Sequence, residues 1–507
     1  MKLLKSPFFR ILLIILTTAL EAGFVLYLFL RFYSYAVWLE SILRVIGVIL
    51  IVYIINNSNH LATSFLWIML ISVLPAVGAG LYLFFDSNLY ISRTFRQIQA
   101  ETEFADVYYS QDSEVLESLK EEADNYQGQI RYIYDKSQYP VYHGQHIEYF
   151  NIGEAGYDTL MRELENAREF IFLEYFIINK GVFWDSVHEV LKRKVKEGVE
   201  VRVMYDDIGS LMTLSSDFIE NLEKEGIKAI SFNRVNPRIN VILNHRDHRK
   251  ILVIDGKTAF TGGINLADEY INAIKRFGVW KDNILMFKGE AVWSLTIMFL
   301  TNWNALRKED NDYEVFRRHA DCPREGGYIA PYGETPLDAE LTSQNVYLNI
   351  INQATRYVYI DTPYLIIDNE MTNALTLAAN RGVDVRIVVP GIPDKKIVWY
   401  ITKSYYGVLV RNGVKIYEYT PGFIHSKTFV CDDVVATVGT VNLDYRSLYL
   451  HFENGTYLYR TPVISEIKKD LLEQFAVSHQ VIEEEIKNRS IFGNLLVSVI
   501  RIFAPLL

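Results

Sequence analysis

His248-Arg249-Lys250 returns as His425-Ser426-Lys427, and the two copies carry the same punctuation. An Asp stands five residues beyond each Lys, Asp255 and Asp432. A glycine pair or near-pair follows, Gly262-Gly263 in the first copy and Gly439-Thr440 in the second. An Asn closes each, Asn265 and Asn442. All four matched pairs are separated by the same 177 positions. A multi-position pattern recurring at one offset points to one site built from two half-sites. Two imidazoles and two ammonium groups suit a phosphodiester. They suit neither a carbonyl nor a sugar alone.

The flanking sequence predicts how each half-site is presented. Asn244 to Ile254 reads as a strand, with Asp255-Gly256 as the hairpin turn after it. Residues i and i+2 of a strand share a face, so His248 and Lys250 are expected to project together, as are His425 and Lys427. The Lys supplies positive charge for phosphate oxygens. The His serves as nucleophile or proton carrier near neutral pH. In-line displacement at phosphorus needs groups on both sides, which one His-Lys pair cannot supply and two facing pairs can. A working His also needs its far nitrogen held by an acceptor. The candidates are Glu453, in His451-Phe-Glu-Asn454, and Asp282, at the matching place Trp280-Lys-Asp-Asn283. Asp206-Asp207 has no His or Glu near it in sequence, and a cap or turn role is preferred there over a metal site.

Further out, the chain reads as α/β in two similar halves. Phe170 to Ile177 is an apolar strand. Trp184, Val187, Leu191 and Val195 mark one face of a helix ended by Gly198, and Val199 to Met204 is the next strand. Tyr357 to Ile360, a helix from about Met371, Gly382 and Val383 to Val389 repeat that order. Two β-α-β units imply right-handed crossovers and parallel strands. Ser113 to Tyr126, rich in Glu and Lys, is expected to be helical. Lys308 to Asp338, with Pro323, Gly326-Gly327, Pro331 and Pro336, reads as a linker. The expected division is 1–90 membrane anchor, 91–145 connecting segment, 146–307 first half, 308–338 linker, 339–480 second half and 481–507 tail.

Composition narrows the function. Of 507 residues half are hydrophobic, and the formal charge is −10. That charge disfavours non-specific nucleic-acid binding, which needs a basic surface. Cys322 and Cys431 form no C-x-x-C pair, so neither a zinc site nor a disulfide framework is indicated. The hydrophobic excess lies at the N-terminus, where three apolar segments run from Ile11 to Leu30, Val37 to Ile55 and Leu61 to Phe85. About 20 apolar residues cross a bilayer core, so two or three spans are expected, the third segment being the clearest. No small-x-small site follows the first, which argues against a signal peptide. Lys2, Lys5 and Arg10 precede the first segment and Arg93 and Arg96 follow the third, pulling both ends toward the cytoplasm. A cytoplasmic catalytic part is preferred. Ile491 to Leu507 is too short to span and is expected either in the interface or packed on the protein.

The pattern H-x-K-x4-D-x6-G-[GT]-x-N, twice, resembles the phospholipase D superfamily over roughly Tyr149 to Ala476. Tyr205 to Ser210, Asn244-His245-Arg246, Phe260 to Asn265, Pro363-Tyr364 and Asn442 to Ser447 resemble bacterial cardiolipin synthases. The leading apolar segment is an addition to the usual hairpin of two. The resemblance implies two phospholipase D-like halves packed about a pseudo-two-fold axis behind transmembrane helices, with a cell-membrane, multi-pass location. It implies that two phosphatidylglycerols give cardiolipin and glycerol through a phosphatidyl-histidine, with no metal, nucleotide or other cofactor. His248 is assigned as nucleophile and His425 as acid/base. Lys250, Lys427, Asn265 and Asn442 hold phosphoryl oxygens, and Asp255 and Asp432, counted with the catalytic set, orient. Phosphatidylglycerol and membrane lipids are the expected partners, with no nucleic acid. The alternatives are a phospholipase D-type hydrolase, another phosphatidyltransferase or a nuclease. A lipid-binding scaffold with a dead site would have lost motif residues, and none is lost. The oligomeric state is open.

Overall fold

The computed structural model describes residues 16–27, 36–57, 61–85, 93–122, 126–234, 245–320, 322–487 and 500–501. After β1 (Tyr142–His143), the first half holds β2 (His146–Phe150), β3 (Phe170–Tyr175), β4 (Glu200–Asp206), β5 (Lys228–Phe232), β6 (Lys250–Ile254), β7 (Thr258–Gly262), β8 (Val279–Lys281) and β9 (Ile284–Lys288). The second holds β10 (Tyr328–Glu334), β11 (Tyr357–Asp361), β12 (Asp384–Pro390), β13 (Lys415–Tyr419), β14 (Gly422–Ile424), β15 (Thr428–Cys431), β16 (Val435–Gly439), β17 (Glu453–Tyr459) and β18 (Ser478–Gln480).

The duplication is legible in the sheets. One has the order β2-β9-β7-β6-β3-β4-β5, the other β1-β10-β17-β16-β15-β11-β12-β13-β18. With β1 and β18 removed from its edges, the second order is the first. In each, three strands run parallel, β3-β4-β5 and β11-β12-β13, and the rest pair antiparallel. The helices Val182–Lys196 and Asn369–Asn380 are the expected crossovers. The sheets enclose a shared core. It contains Phe172, Val253 and Phe287 from one and Val388, Val430 and Leu458 from the other. The helix Val292–Leu306 runs through this core. It is apolar nearly all round and buried along almost its whole length, as such a helix must be. Each sheet is covered on its outer face by a further apolar layer.

Four expectations change. The linker proposed for 308–338 contains β10, which pairs with β17 over all seven of its residues. Pro331 is accommodated within that strand, opposite Thr456, where a proline had argued against one. The connecting segment 91–145 contributes β1 to the second sheet. The strand proposed from Asn244 begins only at Lys250; Asn244 lies outside the described residues, and Asp247 makes an isolated bridge to Phe452. Ser113 to Tyr126 is helical over Ser113–Glu121, and a second helix, Gln127–Ser137, follows.

At the N-terminus, 16–27 is helical within the first apolar segment, and Ala36–Asn57 covers the second. The third segment is not one continuous span. It divides into Leu61–Val73 and Pro75–Phe85. Pro75 has no N–H to donate and its ring crowds the preceding turn. Gly78 lets the second helix close onto the first, since a Cβ there would lie 2.6 Å from the Ile71 nitrogen. Among the described residues no helix is long and apolar enough to cross a membrane. Most of Ile491 to Leu507 lies outside the described residues.

Candidate active site

Both motifs sit where the parallel strands end. Lys250 is opposite Tyr175, the last residue of β3, and Thr428 is opposite Asp361, the last of β11. Each His approaches the other half of the molecule. The His248 N–H donates to Phe452 O at 2.8 Å, and the His425 N–H donates to Lys281 O at 2.7 Å. The residues after those carbonyls are Glu453 and Asp282. The side chains meet accordingly: His248 Nδ1 lies 2.9 Å from both Glu453 carboxylate oxygens, and His425 Nδ1 lies 2.7 Å from Asp282 Oδ2. Each acid therefore supports the imidazole of the opposite half. An Nδ1–H donated to a carboxylate leaves Nε2 with its lone pair, the atom a nucleophile or base needs.

The lysines close the cluster. Lys250 Nζ donates to the His248 carbonyl and Lys427 Nζ to that of His425. Lys427 Nζ is also 3.0 Å from His425 Nδ1. Burial pushes Lys250 down to about 7, with Lys427 adding to the effect, and pushes Lys427 down to about 8. Burial, then Lys427, takes His425 down to about 4, and burial holds His248 well below its ordinary value. For Glu453 burial alone acts upward, but His248, His451 and Lys250 outweigh it and hold the carboxyl low. His425 and Lys427 do the same for Asp282. Before substrate arrives, the site at neutral pH thus holds two neutral imidazoles, two carboxylates and lysines poised to gain or lose a proton.

The glycines of the motif make room for the acids. A Cβ on Gly263 would fall 1.9 Å from Asp282 Oδ1, and one on Gly262 2.4 Å from Asn283 O. In the second half Gly439 passes Asn454 O equally closely, and the residue after it, Thr440, donates its hydroxyl to Glu453. The departure from Gly-Gly therefore adds a hydrogen bond on the His248 side.

Asp255 and Asp432 are not part of this cluster. Each lies five residues along the chain from its lysine, about 16 Å for extended backbone. Asp255 (φ 52°) and Gly256 (φ 62°) form the far hairpin turn, as do Asp432 (φ 52°) and Asp433 (φ 61°). The Asp255 carboxylate accepts the N–H groups of Arg168, Glu169 and Phe170 at 2.7–2.9 Å, fixing the start of β3. Asp432 accepts those of Thr355, Arg356 and Tyr357 and the hydroxyls of Thr355 and Tyr126. Their place in the catalytic set is corrected on this ground: they are pins of the fold. Asp432→Ala is expected to cost about 3 kcal/mol or more, because buried donors lose their acceptor. Thermal and denaturant melts of this variant measure the cost, while the specific activity of the folded fraction should stay close to wild type.

Asn265 is committed mainly to structure. Its Oδ1 accepts the Ile177 N–H at 2.9 Å, and its amide donates to the Tyr270 hydroxyl at 2.8 Å. Asn442 differs, since its Oδ1 is buried without a hydrogen-bond partner among the described residues. Asp206 is a turn cap, accepting the N–H groups of Ile208, Gly209 and Asp247. Sequence reasoning missed His451 as a site residue. Its ring centroid lies 5.7 Å from that of His248, and a His two residues before the supporting acid was the available signal. His248, His451 and Glu453 are a trio whose donor atoms lie within 4.8 Å of one another and could hold a cation.

Paired His-Lys clusters on a duplicated α/β fold, each His backed by an acid from the other half, define an enzyme of the phospholipase D type. The family model described as cardiolipin synthase, PLD-like domain, matches residues 160–280 and 347–475. The cardiolipin synthase of Alkalihalophilus pseudofirmus is 33% identical over 478 residues, covering 94% of this chain and 95% of that protein. That of Geobacillus kaustophilus is 34% identical over 472 residues, covering 92% and 94%. An uncharacterized protein of Streptococcus mutans is 44% identical over 458 residues, covering 90% and 99%. The crystal structure of a phosphatidylserine synthase from Haemophilus influenzae shares the fold, with a TM-score of 0.58 at 14% identity, covering 75% of this chain and 100% of that one. The chain belongs to the cardiolipin synthase family.

Proposed function

We propose that the chain joins two phosphatidylglycerols into cardiolipin, releasing glycerol, at the two-half site. The observation that carries this reading is the reciprocal pairing of His248 with Glu453 and His425 with Asp282, around two lysines. The phosphodiester of the first lipid sits between Lys250 and Lys427, and its negative charge holds both protonated. The His248 Nε2 lone pair attacks phosphorus as the P–O bond to the departing glycerol breaks. His425, which enters this step as the imidazolium with Asp282 balancing its charge, gives that oxygen the proton on Nε2. A hydroxyl of the second phosphatidylglycerol returns a proton to His425 and attacks phosphorus, breaking the N–P bond. The doubly hydrogen-bonded Glu453, fixed by Thr440, supports His248 in the nucleophilic role.

The rim favours a lipid substrate over a soluble phosphodiester. Segments at the site end of the sheets expose Ile208 and Met212 after β4, Ile274 and Val279 before and in β8, and Ile392 and, in the helix Lys396–Arg411, Ile397 after β12. Lys275, Arg276, Lys395 and Lys396 are exposed among them, on a chain of net charge −10. Apolar residues interleaved with cations suit an anionic bilayer surface. The N-terminal helices expose Val45, Ile49, Val52, Phe65 and Val73, as lipid-solvated helices would. Attachment to the cell membrane, with the catalytic halves on the cytoplasmic side beside Arg93 and Arg96, completes the proposal.

Purified protein given radiolabelled phosphatidylglycerol alone should form cardiolipin and free glycerol in equal amounts. Phosphatidic acid as the sole lipid product would replace the transferase with a hydrolase. The pH profile of kcat/KM should be bell-shaped. It rises as His248, held by burial well below its ordinary value, loses its proton, and falls as Lys250, at about 7, and Lys427, at about 8, lose theirs. The sign follows from the roles: the His248 lone pair is present only above that group's value, and ammonium charge only below the lysine values. Initial rates at sub-saturating lipid from pH 4 to 10 test it, and a profile flat from pH 6 to 10 would contradict it.

A further inference from the structure

We propose that His248, His451 and Glu453 form an inhibitory site for one zinc-class divalent cation, which takes the His248 half-site out of the reaction while bound. The inhibition rests on the phosphatidyl-transfer reading above; the binding does not.

The geometry is close to that of a His2Glu centre. Zinc bonds of about 2.0–2.1 Å in a tetrahedron place ligand atoms about 3.4 Å apart. Here the His248 and Glu453 atoms are 2.9 Å apart, His451 Nδ1 and Glu453 Oε1 are 3.8 Å apart, and all three donor atoms lie within 4.8 Å of one another. Shifts under about 1 Å would close the set and leave a fourth position for water or a phosphoryl oxygen. His451 brings no competing obligation. Both ring nitrogens are buried, and neither has a hydrogen-bond partner among the described residues. A buried imidazole with two unmet nitrogens is costly unless something satisfies it.

The pseudo-symmetry confines the site to one half. Asp282 and Glu453 occupy equivalent places, so the residue two before each is also equivalent: Trp280 beside His425 and His451 beside His248. Trp280 lies 5.5 Å from His425 between ring centroids, matching the 5.7 Å of the His pair. Indole nitrogen is a donor with no lone pair for a metal, whereas imidazole has one. One cation per chain follows. Zinc, nickel, copper and cobalt suit two imidazoles and a carboxylate, and magnesium and calcium do not. On binding, the cation takes the place of the proton between His248 Nδ1 and Glu453, and that proton is released to solvent. The carboxylate then faces the metal, and a metal-bound imidazole is a poor nucleophile at its other nitrogen.

The test uses the untagged full chain in detergent, freed of metal, with cobalt(II) as the spectroscopic probe. We expect one equivalent to give the strong visible absorption of tetrahedral cobalt. Zinc should displace it, and it should be absent from His451→Asn and His451→Phe. Cardiolipin formation with and without zinc is compared within each protein as a ratio. Half-inhibition of either variant should need at least about tenfold more zinc, since losing even a residue that only supports a metal ligand typically costs about 10-fold or more. No tetrahedral band in the wild type overturns the site. So does a band or zinc sensitivity unchanged in both variants, each shown to be folded by its melt. Failure of metal-free wild type to make cardiolipin would instead remove the transfer reading and leave the cobalt result standing.

Discussion

His248→Ala and His425→Ala should each lower kcat/KM by at least about 10⁴-fold, with the double variant little worse than either single one. Both steps need both imidazoles. One must carry the phosphatidyl group, and the other must move a proton at the opposite face of phosphorus. Removing either leaves only binding and the lysine charges. Their effects are therefore not additive, since the second deletion takes away a partner that already has nothing to act with. The variants also separate the roles. His425→Asn keeps the His248 nucleophile but lacks the proton donor and later base. It should accumulate a radiolabelled phosphatidyl-enzyme, stable to alkali and labile to acid as a phosphoramidate is, whereas His248→Asn should accumulate none. Substantial turnover in either alanine variant would end the two-half-site description. Label trapped only in His248→Asn would exchange the two roles and leave the site intact.

Much of this site was legible in the chain because its chemistry is written twice. The constant spacing from His248 to His425 identified the half-sites. The acid following each motif pointed to Glu453 and Asp282. What the spacing could not carry was which acid serves which His. Sequence distance places Glu453 near His425, 28 positions on, yet it binds His248, 205 positions back. The reason is the backbone exchange in which His248 docks on Phe452 and His425 on Lys281. Asp255 and Asp432 misled for a related reason. A motif records what recurs, and a residue pinning a hairpin to the start of β3 or β11 recurs as faithfully as one that touches phosphorus. β10 was hidden by Pro331 and its neighbouring glycines, local signals that tertiary pairing with β17 overrides. The core helix Val292–Leu306 lacked the one-sided periodicity that marks surface helices, because both sheets cover it.

Asp282→Asn, a change in the first half, should disable the imidazole of the second, with a loss in kcat/KM of about 10³–10⁴-fold. The amide is nearly the same size, so the fold should survive. Its charge is gone, however, and an amide nitrogen facing Nδ1 favours the tautomer whose lone pair points away from phosphorus. The imidazolium formed during proton transfer also loses its counter-charge. If His425 is the proton carrier, Asp282→Asn should behave as a weaker copy of His425→Asn and accumulate phosphatidyl-enzyme on His248. Glu453→Gln removes the carboxylate that His248 meets with both oxygens and that Thr440 steadies. It should copy His248→Asn, giving low turnover and no trapped label. Pairing within each half predicts the opposite assignment, with label in Glu453→Gln and none in Asp282→Asn. Peptide mapping of the trapped adduct and the rates of the two variants decide between these outcomes. Crossed pairing also makes each active imidazole depend on contact between the halves, so a first half made alone should lack even the nucleophilic step.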